Sequence, residues 1–329
     1  MRTPLEDPAR LTPDGSAVHL DTPHLVGAKA DVPADVAPDL APDLRSVFSP
    51  DGAPDLRPVF SPDGAPAAAA FAFVTAGIYF ACGLRTDGTV ACWGDNAYGE
   101  TTPPADTFAS VSAGGYFACG LRTDRTIACW GNNDYGQVTP PAGTFAFVSA
   151  GAKFACGVKT DGTIACWGDN EYGEGTPPAG TFSSVSAGYG FACGVRTDST
   201  IACWGFNNYG QTDPPAATFA SVSAGPGFAC GLKTDSTVAC WGGNYSGQST
   251  PPAGTFASLS AGEFFSCGVR TDGTVACWGD NFYGAATPPA GTFVSVSGGY
   301  RFTCGVKTVG AISCWGENSH GEATPPAPS

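Results

Sequence analysis

Two cysteines with nine residues between them, the second followed by Trp-Gly, recur seven times along this chain at a constant spacing of 37 residues. The first cysteines are Cys82, Cys119, Cys156, Cys193, Cys230, Cys267 and Cys304. The second cysteines are Cys92, Cys129, Cys166, Cys203, Cys240, Cys277 and Cys314. A strict period of this length predicts one supersecondary unit stacked on copies of itself. The function should then depend on the residues that differ between copies.

The repeats divide the 329 residues into two parts. We predict one repeat domain over residues 71–329 and a separate leader over residues 1–70. The leader is rich in Pro, Asp and Ala, and it buries too little apolar surface to offset the entropy of ordering, so disorder is predicted there. The seven repeats are predicted at residues 71–107, 108–144, 145–181, 182–218, 219–255, 256–292 and 293–329.

A hairpin signal lies inside each repeat. In the first repeat, residues 80–85 and 89–93 flank Thr86-Asp87-Gly88, and Asp-Gly between two such runs favours a hairpin. With a three-residue turn, Cys82 pairs with Cys92 on the adjacent strand, which predicts a disulfide in every repeat. Two alternatives stay open. The cysteines are buried thiols, or they bind zinc, although two cysteines without a nearby His leave a tetrahedral site half empty.

Both faces of the predicted sheet are apolar. Phe80 and Leu84 share one face with the cysteines, while Trp93 lies on the other with Ala81 and Gly83, whose small size leaves room for a tryptophan ring. Neither face can be left in water. A sheet covered on both faces by copies of itself is a propeller blade. The prediction is therefore an all-β fold, a seven-bladed β-propeller.

Composition excludes several classes of function and leaves the compartment open. The formal net charge of −14 argues against nucleic acid and against an anionic membrane surface. No apolar run approaches the length of a transmembrane helix. Fixed cysteine pairs favour an oxidising compartment, although no signal segment is visible at the N-terminus. We expect an extracellular or cell-envelope protein, with the cytoplasm as the alternative.

The run Ala76-Gly77-Ile78-Tyr79-Phe80-Ala81-Cys82-Gly83-Leu84, continued by Trp93-Gly94-Asp95-Asn96-Ala97-Tyr98-Gly99, resembles the repeat of the regulator of chromosome condensation family. The resemblance implies a seven-bladed propeller. It is strongest for compact bacterial members such as the propeller-type β-lactamase inhibitor protein, which implies a binding module. The sequence departs from the family by having Phe80 where His is usual, and no repeat carries an insertion like the wedge of the eukaryotic exchange factor.

Candidate binding residues come from the pair that follows Gly77 and its counterparts, because this pair differs in every repeat. These loops are predicted to emerge at one end of the propeller, together with residues 95–99 and opposite the Asp-Gly turns. Aromatic and Arg side chains dominate protein–protein hot spots, and the resemblance implies that a comparable ring grips a target. The alternative is loops that vary without constraint. The predicted partner-binding residues are Tyr79, Tyr116, Lys153, Tyr189, Glu263, Phe264, Tyr300 and Arg301.

Catalysis finds little support, because only His19, His24 and His320 are present and no nucleophile, base and orienting acid come together. We expect no enzyme activity, no cofactor and no metal. The predicted function is a monomeric protein-binding propeller that inhibits or scaffolds a secreted or periplasmic protein. The alternatives are a structural or surface-display module without a dedicated ligand, and a carbohydrate-binding module.

Overall fold

The computed structural model describes residues 70–326, and the disorder prediction for residues 1–70 lies outside them except at Ala70. Seven antiparallel sheets of three strands each follow one another along the chain. The first strands are β1 (Phe71–Ala76), β4 (Phe108–Ala113), β7 (Phe145–Ala150), β10 (Phe182–Ala187), β13 (Phe219–Ala224), β16 (Phe256–Ala261) and β19 (Phe293–Gly298). The second strands are β2 (Phe80–Arg85), β5 (Phe117–Arg122), β8 (Phe154–Lys159), β11 (Phe191–Arg196), β14 (Phe228–Lys233), β17 (Phe265–Arg270) and β20 (Phe302–Lys307). The third strands are β3 (Val90–Gly94), β6 (Ile127–Gly131), β9 (Ile164–Gly168), β12 (Ile201–Gly205), β15 (Val238–Gly242), β18 (Val275–Gly279) and β21 (Ile312–Gly316).

The hairpin register is the predicted one. Leu84 pairs with Val90 and Cys82 pairs with Cys92, and the same pairing recurs in the other six sheets. Gly88 has a φ of 84°, so it occupies the left-handed position that closes a three-residue turn. The seven sheets are the blades of the predicted all-β propeller.

The cysteines of each blade are joined by a disulfide. Cys82 and Cys92 have a Cα–Cα separation of 4.0 Å, and the six equivalent pairs share this separation. None of the fourteen cysteines, all of which lie within residues 70–326, is free. The thiol and zinc alternatives are therefore wrong for this structure.

The hydrophobic core lies between neighbouring blades. Phe80 and Leu84 of the first blade pack with Phe108, Val111 and Trp130 of the second. Full burial of each such side chain stabilises the fold by about 1.5–3 kcal/mol. Because six equivalent clusters repeat this arrangement, most of the core holds blades to one another.

Aromatic rings fill the room beside the small residues of the second strand. A Cβ atom added to Gly83 would come within 2.6 Å of the ring of Phe71, in the first strand of the same blade. The expected tryptophan ring lies in the same core cluster, because Trp93 packs there with Ala81 and Phe71. The bulge in the first strand, between Phe71 and Phe73, changes the register there. Gly83 is therefore required by the ring of Phe71.

The circle of blades closes without a shared strand. The amide of Ala113 donates to Oγ1 of Thr75 in the preceding blade, and this contact is repeated around the propeller through serine hydroxyls. The amide of Ala76 in the first blade donates to Oγ of Ser297 in the seventh, at 3.0 Å. Phe71 and Trp93 also belong to one core cluster with Phe302. The closing interface thus repeats the internal ones.

Candidate binding face

The two ends of the propeller carry different loops. The connection between β1 and β2 meets the loop that follows β3, because the amide of Asp95 donates to the carbonyl oxygen of Tyr79 at 2.8 Å. We call this end of the seven blades, formed by residues 77–79 and 95–100 and their counterparts, the loop face. The opposite end, formed by residues 85–89 and 105–107 and their counterparts, is the turn face.

The first residue of each variable pair lies toward the propeller axis and is largely buried. The amide of Tyr300 donates to the carbonyl oxygen of Gly77 in the next blade, and the amide of Glu263 donates to that of Gly299. Tyr300 is 4% exposed and Glu263 is 2% exposed. These two predicted contact residues therefore lie beneath the accessible surface of the loop face.

The second residue of each pair packs against the preceding blade. The ring of Tyr116 lies 5.5 Å from that of Tyr98. In the next blade, Nζ of Lys153 lies 4.8 Å from the centre of the Tyr135 ring. Phe264, at the equivalent position of the sixth blade, is half-buried. The recurring tyrosines of the loops thus support the variable residues of their neighbours.

Aromatic contacts join the last blade to the first two. The ring of Tyr79 lies 4.5 Å from that of His320, 5.4 Å from that of Tyr300 and 6.5 Å from that of Tyr116. Three of the predicted contact residues are thereby brought together. His320 could not be assigned to this cluster from the sequence, because its contact with Tyr79 forms only when the circle closes.

A second aromatic series spans the third, fourth and fifth blades. Tyr172 contacts Phe206 at 4.9 Å between ring centres, Phe206 contacts Tyr209 at 6.0 Å, and Tyr209 contacts Tyr245 at 5.9 Å. Tyr189 lines a cleft of about 210 Å³ with Tyr172 and Lys153. Tyr189 and Lys153 of the cleft were among the predicted contact residues, whereas the four rings of the series were not.

The most exposed aromatic side chains lie in the loops that follow the third strands. Phe282 is 83% exposed and Tyr245 is 78% exposed. Their positions vary between repeats and lie on the same face, a pattern the sequence also shows at Ala97 and Asp134. These two rings offer more accessible apolar surface than the buried Tyr300.

Arg301 is held by a network of rings and carboxylates. Its guanidinium carbon lies 4.4 Å from the ring centres of both Tyr283 and Tyr300. Its nitrogens lie 3.8 Å from Glu263 and 3.7 Å from Glu317. Although burial opposes its charge, the neighbouring tyrosines and carboxylates raise the pKa of Arg301, so it stays a cation. Arg301, a predicted contact residue, therefore joins loops of the sixth and seventh blades on the loop face.

A set of buried Glu and Gln side chains supports the same loops, and the sequence analysis did not identify it. The carboxylate of Glu100 accepts a hydrogen bond from the amide of Tyr98 at 2.7 Å, and the amide oxygen of Gln137 accepts one from Tyr135 at 2.8 Å. Burial raises the pKa of Glu100, and Asp95 adds to the rise. The recurrence of Glu or Gln in six of the seven repeats was the available signal. The position is occupied by Glu100, Gln137, Glu174, Gln211, Gln248, Ala285 and Glu322.

Within residues 70–326, His320 is the single histidine. No group of three or more His, Cys, Asp or Glu residues in this range is arranged to hold a metal ion. The same part of the chain forms no helix of the length and hydropathy needed to cross a bilayer.

The family profile of the regulator of chromosome condensation (RCC1) repeat matches all seven blades. The chain belongs to the RCC1 repeat family. The matches cover each blade from its first strand through the buried Glu or Gln position, so the family motif ends at the loop face. The matched residues are 71–100, 108–137, 145–174, 182–211, 219–248, 256–285 and 293–322.

Several proteins of known structure are similar to this chain. The CRINKLY WD40 ectodomain of the Arabidopsis thaliana receptor kinase ACR4 is 30% identical, covering 72% of this chain and 90% of that one, with a TM-score of 0.63. The ectodomain of the Physcomitrella patens receptor kinase CR4 is 29% identical, covering 72% and 70%, with a TM-score of 0.64. Prp20p from Saccharomyces cerevisiae is 14% identical, covering 92% and 93%, with a TM-score of 0.61, which supports the fold alone. A search of curated proteins found no match.

Proposed function

We propose that this RCC1-repeat propeller is a non-catalytic protein-binding module that contacts its partner through the loop face. The observation that carries the proposal is the exposure of Phe282 and Tyr245, which project from an otherwise interlocked aromatic surface. Exposed aromatic side chains on a rigid support lose little conformational entropy on binding and supply the anchors of many protein interfaces.

The predicted contact residues have different roles in this proposal. Tyr79, Tyr116 and Lys153 are half-buried and line the accessible surface. Tyr300 and Glu263 are buried, so they hold their neighbours in place instead of contacting a partner directly. The partner-binding surface therefore extends outward from the predicted ring to the loops that follow the third strands.

An oxidising compartment is part of the proposal. Seven disulfides in one chain favour a location outside the reducing cytosol. Two of the similar structures are receptor-kinase ectodomains, which supports the same location. Intact-mass measurement of the protein from its native source, without reductant, should show the loss of two hydrogens for each of seven bonds. Fourteen reduced thiols would contradict the proposed compartment.

Photo-crosslinking tests the binding face directly. A benzophenone side chain placed at Phe282 should give a covalent adduct with a discrete partner when the purified protein is added to its native extracellular fluid. Val309 is 80% exposed on the turn face, so the same group at Val309 is the matched control. Equal adducts from both positions, or none from position 282, would contradict the proposal.

A further inference from the structure

The charges of the propeller are divided unequally between its two ends. On the turn face, eight cations balance seven carboxylates, whereas the loop face has ten carboxylates and only two cations, Lys153 and Arg301. The loop-face carboxylates are Asp95, Glu100, Asp134, Asp169, Glu171, Glu174, Glu263, Asp280, Glu317 and Glu322. The turn-face cations are Arg85, Arg122, Arg125, Lys159, Arg196, Lys233, Arg270 and Lys307. The turn-face carboxylates are Asp87, Asp106, Asp124, Asp161, Asp198, Asp235 and Asp272. Asp213, in the segment between the two ends, is counted with neither face.

In six of the seven blades the turn Asp accepts hydrogen bonds within its own turn. Oδ1 of Asp124 accepts hydrogen bonds from the amide and hydroxyl of Thr126, and these bonds, with Arg122 nearby, lower the pKa of Asp124. Arg122 also binds Asp106 at 2.9 Å. The turn face is thereby close to neutral and locally paired.

The loop face retains an excess of negative charge even if both of its cations are fully paired. Four of its carboxylates are buried, namely those of Glu100, Glu174, Glu263 and Glu322. The other six are at least partly accessible: Asp95, Asp134, Asp169, Glu171, Asp280 and Glu317. A field of one sign over one end of a molecule attracts partners of the opposite charge and speeds their association.

The tyrosines of this face already bind cations. Lys153 lies over Tyr135, and Arg301 lies against both Tyr283 and Tyr300. Aromatic faces attract Lys and Arg through the ring quadrupole. The exposed ring of Phe282 contacts that of Tyr283 at 4.9 Å, so further aromatic surface is available beside the occupied rings.

We propose that the loop face recognises a protein segment rich in Lys and Arg, with Phe282 and Tyr245 as apolar anchors and the surrounding carboxylates as ion-pair partners. The proposal rests on the proposed function, because it names the chemistry of the partner for the same face. One place for a cationic side chain is the cleft between the third and fourth blades. Its lining includes Tyr172 and Tyr189, with the carboxylates Asp169, Glu171 and Glu174 against the single cation Lys153.

The probe is an unstructured peptide of alternating Lys and Ser, with a Glu and Ser peptide as its counterpart. Binding of each peptide to the full chain is measured by fluorescence anisotropy at about 0.05 M and about 0.5 M salt, since screening weakens ion pairs between exposed groups. The Lys peptide should bind at low salt, and its affinity should fall at least about tenfold at high salt. The Glu peptide should not bind.

Two charge-matched triple variants separate the loop face from the overall charge. The loop-face triple variant combines Asp134→Asn, Glu171→Gln and Asp280→Asn. It should weaken binding of the Lys peptide about tenfold or more. The control is Asp87→Asn with Asp161→Asn and Asp272→Asn, which keeps each turn's accepting Oδ1 and should change binding less than about twofold. The double variant of Phe282→Ala and Tyr245→Ala should also weaken binding of the Lys peptide, because ammonium groups are attracted to the faces of aromatic rings.

Absence of Lys-peptide binding, equal weakening by both triple variants, or an unchanged affinity in the aromatic double variant would each overturn the inference. The yield of the adduct formed through position 282 is then measured at both salt concentrations and in both triple variants. An adduct whose yield changes neither with salt nor in the loop-face triple variant would overturn the basic-partner inference. It would leave the proposed function standing. No adduct at position 282 would overturn the proposed function itself.

Discussion

The indole Nε1 of Trp93 donates a hydrogen bond to the backbone carbonyl oxygen of Glu322 at 2.8 Å, across 229 residues of sequence. Trp204 makes the same contact with the carbonyl oxygen of Glu174, one blade back along the chain. The bond between the seventh and first blades therefore has the geometry of an internal one. The circle is closed by repetition of a single interface.

Replacing the closing tryptophan should cost as much as replacing an internal one. Trp93→Phe removes the donor and leaves a buried carbonyl oxygen unpaired, which costs about 1–3 kcal/mol. Trp204→Phe should lower the free energy of unfolding by a similar amount. Chemical denaturation of both variants measures the two losses. A much smaller loss for Trp93→Phe would mean that the closing interface is not formed in solution.

Glycine should stabilise three of the hairpin turns. Arg125, Ser199 and Ser236 have φ values of 71°, 69° and 67°, where the other turns have glycine. Side chains with a Cβ atom are strained in this region, so Arg125→Gly and Ser199→Gly should each raise the free energy of unfolding by about 0.5–1 kcal/mol. The reverse change, Gly88→Ser, should lower it by a comparable amount. Urea denaturation midpoints provide the measurement, and a loss in the glycine variants would contradict the strain argument.

The buried carboxylates should make stability depend on pH. Burial raises the pKa of Glu100 and of Glu174 above the ordinary value of 4.5 in the folded state. The folded protein therefore holds these protons more tightly than the unfolded chain, and their contribution to stability is lost as pH rises through the folded pKa. Glu100→Gln with Glu174→Gln removes this loss and should raise the free energy of unfolding at pH 7 by about 0.5–2 kcal/mol.

The gain from this double variant should shrink as the pH falls toward 4.5, because the parent's carboxyl groups then carry their protons. The design copies the second blade, where Gln137 keeps the hydrogen bond to its loop and donates from Nε2 to Asn132. In the first blade, Asp95 is placed to accept the equivalent bond. Gln137→Glu is the control and should lower stability at pH 7. A pH-independent gain would rule out the titration argument.

Exposure should separate supporting rings from contacting rings. Tyr300→Ala removes a buried side chain and should cost about 3–5 kcal/mol of stability, as large aromatic truncations in protein cores do. Phe282→Ala removes an exposed ring and should stay within about 0.5 kcal/mol of the parent. Thermal denaturation of the two variants distinguishes them. Comparable losses in both would show that Phe282 also packs within the fold.

The strand register followed from the sequence because it depends on local features. A fixed separation of Cys82 and Cys92 around an Asp-Gly turn allows one antiparallel pairing, and the period of 37 residues multiplies it by seven. Side-chain packing on the faces of each sheet was harder to infer. That Gly83 accommodates the ring of Phe71 depends on the bulge in the first strand. A bulge leaves no signal in the spacing of the cysteines.

The loop face was only partly predictable. Variation between repeats led to the prediction that the loops after the first strands contact a partner, and this stays a prediction. It could not show that Tyr300 and Glu263 are buried beside the propeller axis. Their burial depends on how closely the seven blades approach one another. Conversely, the Glu or Gln at position 100 and its counterparts is polar and was passed over, although its side chain caps a loop and is shielded by the next blade.

Closure through repeated contacts, such as that between Ala76 and Ser297, has a consequence for engineering. Because every blade is one uninterrupted stretch of chain, all junctions between neighbouring blades are held by equivalent contacts. Joining Ala70 to the end of the last blade by a short peptide and opening the backbone between any two other blades should yield a circular permutant with the same loop face. The order of the seven blades in the gene could then be rotated while their order in space is preserved.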